Sequence, residues 1–472
     1  MGVFICNTSF QDNVKSFRAF LSMVDNLMKP LFPSAGYSPR IPEVWWGDHS
    51  TPVDDNIRPF KVHFTNEMID DLRARINNRR NLTSSLRNSF NSYGTNTEFA
   101  EHLLEYWKSD YHFQDREKVL NRYPQYITNI QGLDIHYIHV KRNESEKKKS
   151  VPILLLHGWP VTAFEYLKVI AHLLENRDDC NFVFEIVAPD LPGFGYSQAT
   201  QKIGLTPYNV GVIMNNLMRR LGHKTYYIHG GDWGDIVAGT MAVMFPHSTL
   251  GVHTNFPHSF LPQTFVKYFL GQLYPAAVVK PKYEDRLYPL GLHLRKFILN
   301  SGYIHIQGSR PDNLVKGLED SPAGLISWII YHYMVIGDGG NANLLLKDGN
   351  LARNYKIDEL LDSLTIYWQT KCVSTSVRIY TEYLSWFQDP MNLIIMMTPT
   401  KVPYAVIKFR YELLYQPDRF LKDKFHNIVL SKTMDFGGHF AGFENPYILS
   451  DSIWNAVKRM ESTHKPKTDI LV

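Results

Sequence analysis

The segment that most restricts the fold is an apolar run at residues 225–229, followed by Gly230-Gly231-Asp232-Trp233-Gly234 and a helical stretch over 235–244. A strand that turns into a helix through small residues holds its central side chain at the tip of a sharp elbow. Such an elbow stands at the carboxyl edge of a sheet, and the surrounding chain supplies one. Residues 133–140, 151–156 and 182–188 read as strands, separated by helical stretches near 163–175 and 209–221. Strands that are short apolar runs, alternating with helices, predict a mostly parallel α/β sheet covered on both faces. The rhythm lapses over 260–385, which is aromatic, helical and irregular. It returns with strands at 402–407 and 427–430 and a closing helix over 446–460. An α/β core interrupted by a mostly helical insertion is the simplest organisation. The insertion would sit over the carboxyl edge, where such folds bind ligands. Upstream, 34–60 reads as an extended arm and 65–125 as helical, with Met68, Ile69, Leu72 and Ile76 at helical spacing.

The elbow carries Asp232 where such turns usually carry Ser. A carboxylate gives no ordinary acyl-enzyme with an ester, but it displaces at carbon, which suits opening an epoxide or expelling a halide through an alkyl ester. The competing reading, an acid that only caps the following helix, is outweighed by the strand, both flanking glycines and the helix occurring together. His157-Gly158-Trp159-Pro160 directly follows the 151–156 strand. A loop there aims the Trp159 backbone N–H at a developing oxyanion, beside that of Trp233. Trp159-Pro160 is a candidate cis peptide, and His157 reads as a brace for the loop. Hydrolysis of an aspartyl ester needs a base near neutral pH, and His is the usual one. Among 19 His, His439 in Gly437-Gly438-His439-Phe440 stands out because it lies in a Gly-rich turn after the last strand. Glu412, in Arg410-Tyr411-Glu412-Leu413-Leu414, is the leading candidate to orient it. The residues alone leave Asp435 and Glu444 open.

Other features bound the function. At 472 residues, 44% hydrophobic and 20% charged, the chain is an ordinary globular protein of one large domain with additions, or two domains. Its +4 net charge and single basic block, Lys147-Lys148-Lys149, predict no nucleic-acid partner. The 27 Tyr and 27 Phe are enough to line a large apolar pocket as well as the core. Cys6, Cys180 and Cys372 make no CxxC pair, which argues against a disulfide framework or a zinc site and fits a reducing compartment. Asn7, Asn81 and Asn143 each begin a glycosylation acceptor pattern. No run reaches the ~20 apolar residues of a membrane span, and the start lacks a signal-peptide plan. Phe17, Phe20, Leu21, Val24, Leu27, Met28 and Leu31 nevertheless share one helical face, ended by Pro30 and Pro33. That face fits a helix packed on the body or one lying in a membrane interface.

Taken together, the HGWP loop, Asp190-Leu191-Pro192-Gly193-Phe194-Gly195-Tyr196-Ser197, the GGDWG elbow and the segment from Gly437 to Pro446 closely resemble the microsomal epoxide hydrolase family, which includes insect juvenile hormone epoxide hydrolases. Ile57-Arg58-Pro59-Phe60-Lys61-Val62 and Asn121-Arg122-Tyr123-Pro124-Gln125-Tyr126 are similar to its N-terminal region, and the likeness runs from about residue 40 onward. The resemblance implies an α/β-hydrolase fold with a helical cap insertion and an N-terminal wrapping region. It divides the chain into an amphipathic segment (1–33), the N-terminal region (34–130), a first core part (131–259), the cap (260–385) and a second core part (386–472). It also implies two cap tyrosines that hydrogen-bond the epoxide oxygen, Tyr303 in the Ser301–Gln307 motif and Tyr380 after Val377-Arg378-Ile379, and it supports Glu412. The expected activity is conversion of a lipophilic terpenoid, lipid or xenobiotic epoxide to a vicinal diol, with neither metal nor organic cofactor. The implied location is the cytosolic face of the endoplasmic reticulum membrane, with a soluble cytosolic protein as the alternative. Family members usually begin with an apolar anchor, whereas residues 1–33 supply only the amphipathic pattern, which argues against permanent membrane insertion and leaves peripheral association open. Oligomeric state is not set by the sequence. The rivals are a haloalkane dehalogenase, which needs halide donors instead of the tyrosine pair, and a non-catalytic binder of lipophilic epoxides.

Overall fold

The computed structural model of the chain describes residues 10–48, 54–141, 148–384 and 389–464. Cys6, Lys147 and the acceptor patterns at Asn7 and Asn143 lie outside the described residues, while Asn81 is exposed.

Among the described residues nine strands form one sheet. They are β1 (Arg58–Phe60), β2 (Gln125–Ile130), β3 (Leu133–Val140), β4 (Lys149–Leu156), β5 (Phe182–Pro189), β6 (Tyr226–Gly230), β7 (Thr249–Thr254), β8 (Tyr404–Lys408) and β9 (Ile428–Thr433), in the order β1-β2-β3-β5-β4-β6-β7-β8-β9. The first three strands pair antiparallel, and β5 through β9 run parallel. Between β2 and β3 the chain reverses through Gln131 and Gly132, both at positive φ (53° and 86°), as a tight hairpin turn requires. All eight residues of β5 and all five of β6 and β8 are buried, which explains why these strands read as continuous apolar runs. The sequence reading lacked β1, β2 and β7. The first is three residues at the sheet edge, while β2 and β7 carry Gln125, Thr128, Asn129, Thr249, His253 and Thr254, polar residues that are buried.

Ahead of β2 stand α2 (Asn66–Asn77), α3 (Thr97–Ser109) and α4 (Phe113–Leu120). Thr65 and Asn96 cap the first two, accepting from the N–H of Met68 and of Glu98 and Phe99. Their buried stripes, Ile69–Leu72–Ile76 and Leu103–Leu104–Trp107, face inward. This region is tied to the helical insertion by polar contacts at depth. The Trp107 indole N–H donates to Thr365 (2.9 Å), and Asp362 accepts from the Tyr111 hydroxyl (2.8 Å) and the Arg116 guanidinium (2.9 Å).

In the core, α5 (Leu167–Leu173), α6 (Pro207–Arg220) and α7 (Trp233–Met244) lie along the chain of parallel strands. Between β7 and β8 the chain leaves the sheet and builds a set of helices that begins with α8 (Pro262–Gly271), α9 (Leu290–Asn300) and α10 (Gly302–Ser309). The insertion is centred on a helix at Pro322–Ile336 whose Leu325, Ile326, Ile329, Ile330 and Tyr333 are fully enclosed, as a helix apolar all round must be.

The N-terminal helix α1 (Phe10–Met28) divides its apolar residues between two environments. Leu21 is buried with Val278, Val279, Leu287, Tyr288 and Phe420, and Phe17 stacks on Tyr274. Phe20, Met23 and Leu27 are exposed, as is Leu31 just beyond the helix. No helix among the described residues is long and apolar enough to cross a membrane.

Candidate active site

Asp232 ends the turn after β6 and stands at the N-terminus of α7 with φ +50° and ψ −125°. A non-glycine residue at positive φ costs of order 1–3 kcal/mol and persists only where its surroundings impose it. The close approach that imposes it is visible at Gly234, where a Cβ would drive into the Leu156 carbonyl of β4. The small residues of the elbow are thus a steric requirement for placing the acid at the carboxyl edge.

Two groups reach that acid, and a third stands behind one of them. The Trp159 backbone N–H donates to Asp232 Oδ1 (2.8 Å). His439 presents Nε2 to Asp232 Oδ2 at 3.5 Å, and its Nδ1–H donates to Glu412 Oε1 at 2.6 Å. The His439 and Glu412 side chains are almost wholly buried. Burial alone would lower the His439 pKa, but the charges and hydrogen bonds of Glu412 and Asp232 outweigh it and hold the imidazole well above its ordinary value. Its backbone is fixed by the N–H bond to Ile336 O (2.8 Å). Glu412 Oε2 is buried without a protein partner. The first of the two alternative acids lies elsewhere, since Asp435 is exposed and pairs with Lys282 and Arg286. Glu444 accepts from the Tyr355 hydroxyl (2.5 Å) and the Gly438 N–H (2.6 Å), and so braces the turn that carries His439.

The loop from His157 to Pro160 is held from behind. The Trp159-Pro160 peptide is cis. His157 is fully buried, its Nδ1–H donating to Gly158 O (2.8 Å) and its Nε2 accepting from the Leu191 N–H (3.0 Å). Burial lowers its pKa, and the neutral imidazole serves both bonds. Asp190 sits beneath, accepting from the N–H of Ala163 and Tyr196 and from His136. The backbone N–H of Trp233 opens α7, next to the acid.

Opposite the acid, the insertion supplies Tyr303 from α10 and Tyr380 from the helix Arg378–Leu384. Their rings lie 6.0 Å apart, and both contact Trp159, Tyr303 stacked at 5.6 Å and Tyr380 edge-on at 6.0 Å. Trp233 meets Tyr380 edge-on at 4.6 Å, and His332 meets Tyr303 at 4.4 Å. Burial raises the pKa of both phenols, helped by the charge of Asp232 at Tyr303 and by Tyr303 and then Asp232 at Tyr380, so both remain protonated donors. The arrangement pairs a carboxylate and a buried imidazole with two neutral O–H groups, and it encloses them in aromatic rings.

Glu165 escaped the sequence reading. Fully enclosed, it accepts from the Gly442 N–H (3.3 Å), and burial pushes its carboxyl up to about 7. Its only sequence signal is its place five residues after the HGWP loop. His332, which meets Trp159 and Tyr303 edge-on, carried none.

Known proteins share this architecture. The profile of the epoxide hydrolase N terminus matches residues 57–166, and that of the alpha/beta hydrolase fold matches residues 151–295. A juvenile hormone epoxide hydrolase of Manduca sexta is 43% identical over 435 residues, 91% of this chain and 93% of that protein. Epoxide hydrolase 1 of Sus scrofa is 34% identical, over 87% and 91% of the two chains. The crystal structure of juvenile hormone epoxide hydrolase from Bombyx mori superposes with a TM-score of 0.86 at 37% identity, covering 89% of this chain and 99% of that one.

Proposed function

The chain belongs to the epoxide hydrolase family and is an epoxide hydrolase, and from that premise we propose that it opens a lipophilic epoxide through an ester on Asp232. The carboxylate attacks one epoxide carbon while Tyr303 and Tyr380 donate to the oxygen, which leaves as a hydroxyl. One C–O bond of the ring breaks as the Asp232–carbon bond forms. The proton taken by the oxygen returns to the phenol from the His439 imidazolium. Once Asp232 is esterified it is neutral, so the imidazolium has lost one of its two stabilising carboxylates, and the proton it gives to the phenol leaves a neutral imidazole that is a competent base. Neutral His439, oriented by Glu412, then takes a proton from water as the hydroxide attacks the ester carbonyl. The N–H groups of Trp159 and Trp233 hold the oxyanion, and a vicinal diol leaves as the Asp232 carboxylate and the imidazolium are restored.

The observation that carries this reading is the Asp232–His439–Glu412 line facing two protonated phenols. The apolar walls of Trp159, Trp233, Tyr303 and Tyr380 favour an extended hydrocarbon epoxide. The names of the insect relatives make a juvenile-hormone-like terpenoid epoxide the first substrate to test. Single-turnover mass spectrometry in heavy-oxygen water tests the reading. His439→Ala should accumulate an adduct on the peptide containing Asp232. Diol formation without an adduct, together with an active Asp232→Ala variant, would establish direct attack by water instead.

The exposed residues Phe20, Met23, Leu27 and Leu31, together with the exposed Phe269 of α8, against which α1 packs, support peripheral attachment to a lipid interface through α1. Leu27→Asp with Leu31→Asp should release the chain from vesicles of anionic phospholipid in a sedimentation assay and leave turnover of a soluble epoxide intact. Equal sedimentation of the variant would remove α1 from the contact.

A further inference from the structure

At the end of the sheet away from Asp232, three side chains from three segments point at one place. The antiparallel register sets His139 of β3 opposite Val187 of β5. Glu185, two residues before Val187, therefore lies on the same face one pair further along. His223 comes from the turn between α6 and β6, which is fixed at the helix end by the His223 N–H bond to Met218 O (2.9 Å) after Gly222 at φ 90°. His139 Nε2 is 2.8 Å and His223 Nε2 3.1 Å from Glu185 Oε1, and the three atoms all lie within 4.8 Å of one another. Tyr126 and Tyr137 wall the His139 ring at 6.3 and 6.1 Å.

We propose that His139, Glu185 and His223 form a binding site for a divalent transition-metal ion, with Zn2+ the fitting species, separate from the catalytic centre. Two imidazole nitrogens and a carboxylate oxygen are a sufficient ligand set for Zn2+ in an open tetrahedron, with water as the fourth ligand. Bonds of about 2.0–2.1 Å in a tetrahedron set ligand atoms about 3.3 Å apart. The two His–Glu185 separations, 2.8 and 3.1 Å, need to widen by a few tenths of an ångström, and the two imidazole nitrogens, within 4.8 Å of each other, to settle at the same spacing. As a plain hydrogen-bond cluster the arrangement is crowded, because Lys141 Nζ also approaches Glu185 Oε1 at 3.1 Å and three donors compete for one oxygen. An ion would take the lone pairs of both imidazoles and displace the Lys141 ammonium to solvent, where much of that side chain already lies. Cysteine spacing, on which the sequence argued against a zinc site, has no bearing on such a ligand set.

The ion would tie β3, β5 and the α6–β6 turn together, with no part in epoxide opening. The length of β6, four extended steps of about 3.3 Å from Tyr226 next to the turn to Gly230 before the elbow, separates the two sites by roughly 13 Å or more.

Zn2+ titration of the full-length untagged chain against a chromophoric chelator tests the proposal. One equivalent should bind and raise the melting temperature, with turnover of the epoxide unchanged. His139→Ala and His223→Ala should each weaken binding on the order of tenfold or more, again without loss of turnover. Lys141→Ala removes a competing cation from an exposed position and should tighten binding, an effect no loss of folding mimics. Absence of Zn2+ binding would overturn the proposal. So would binding that the His139, His223 and Lys141 replacements leave unchanged, since the ion would then sit elsewhere or the cluster would be hydrogen bonds alone.

Discussion

Replacing Glu412 by Gln should divide the reaction into a fast half and a slow half. In the resting protein His439 faces two carboxylates, Glu412 at 2.6 Å and Asp232 at 3.5 Å. In the proposed ester intermediate Asp232 is neutral, and the imidazolium that forms as water is deprotonated has Glu412 alone to stabilise it. Removing one partner of a buried charge pair costs about 3–5 kcal/mol, and both side chains here are almost wholly enclosed. At 1.36 kcal/mol per tenfold, hydrolysis of the ester should slow by roughly 10²–10⁴-fold. Alkylation should suffer far less, because it needs only an ionised Asp232 and the two phenols. Rapid-quench mass spectrometry should show the adduct forming promptly and persisting in most of the chains, with diol release as the slow step. Equal slowing of adduct formation and diol release would refute the reasoning, because Glu412 would then act on the whole site. Unchanged turnover would refute it as well, and would pass the orienting role to another group.

Three further perturbations separate the remaining roles. Tyr303→Phe and Tyr380→Phe should each slow alkylation by about 10²-fold, the worth of one preorganised donor, and should abolish accumulation of the ester. A burst of adduct as large as the wild type's would remove that phenol from the mechanism. Gly158→Ala places a Cβ against the Asp232 carboxylate, and such a displacement of the nucleophile should cost about 10²-fold or more in turnover with the circular dichroism unchanged. Normal turnover would mean that the carboxylate has room to retreat. Glu165, pushed up to about 7 by burial, binds its proton more tightly folded than unfolded. It therefore contributes stability that is complete below about pH 4.5 and lost as pH rises through 7, up to about 3 kcal/mol. Gln keeps the acceptor for the Gly442 N–H, so denaturant unfolding of Glu165→Gln should show a smaller decline between pH 5 and pH 8 than the wild type. Identical declines would place the titration on other groups.

The parts of the site that the sequence revealed are those whose local backbone demands particular residues. The Asp232 turn needs small neighbours because Gly234 touches β4. The HGWP loop and the turn around His439 are equally local, so their motifs survive in a single sequence. The orienting acid was not local. Glu412, Asp435 and Glu444 all lie near His439 in the chain, and only packing separates the one at 2.6 Å from a surface ion pair and a loop brace. The tyrosines are a stronger case. Nothing in spacing distinguishes Tyr303 and Tyr380 among 27 Tyr, and only resemblance singled them out, because their meeting depends on how α10 lies against the helix Arg378–Leu384. Strands β2 and β7 were missed for a related reason. Their buried polar residues are satisfied by partners outside the strand, such as His136 on β3 for Gln125 and Ser452 for His253, and no pattern within a strand reports that.

The buried carboxyls around His439 follow from the same chemistry. In the proposed mechanism the imidazole must be charged while Asp232 is a free carboxylate and neutral while Asp232 is an ester. A turn that moved with that charge would lose the 3.5 Å approach to the acid. The turn is held instead by bonds that do not depend on the charge of the ring. The N–H groups of Gly437, Gly438, His439 and Gly442 go to Asp338, Glu444, Ile336 and Glu165. Burial pushes Glu444 and Glu165 up to about 7, against the opposing influence of the His439 charge. Protonated or ionised, each keeps a carboxyl oxygen that accepts its N–H, so the turn holds while the imidazole changes state. Enclosure that would be a liability for a static structure then serves a site whose central charge must alternate in every turnover.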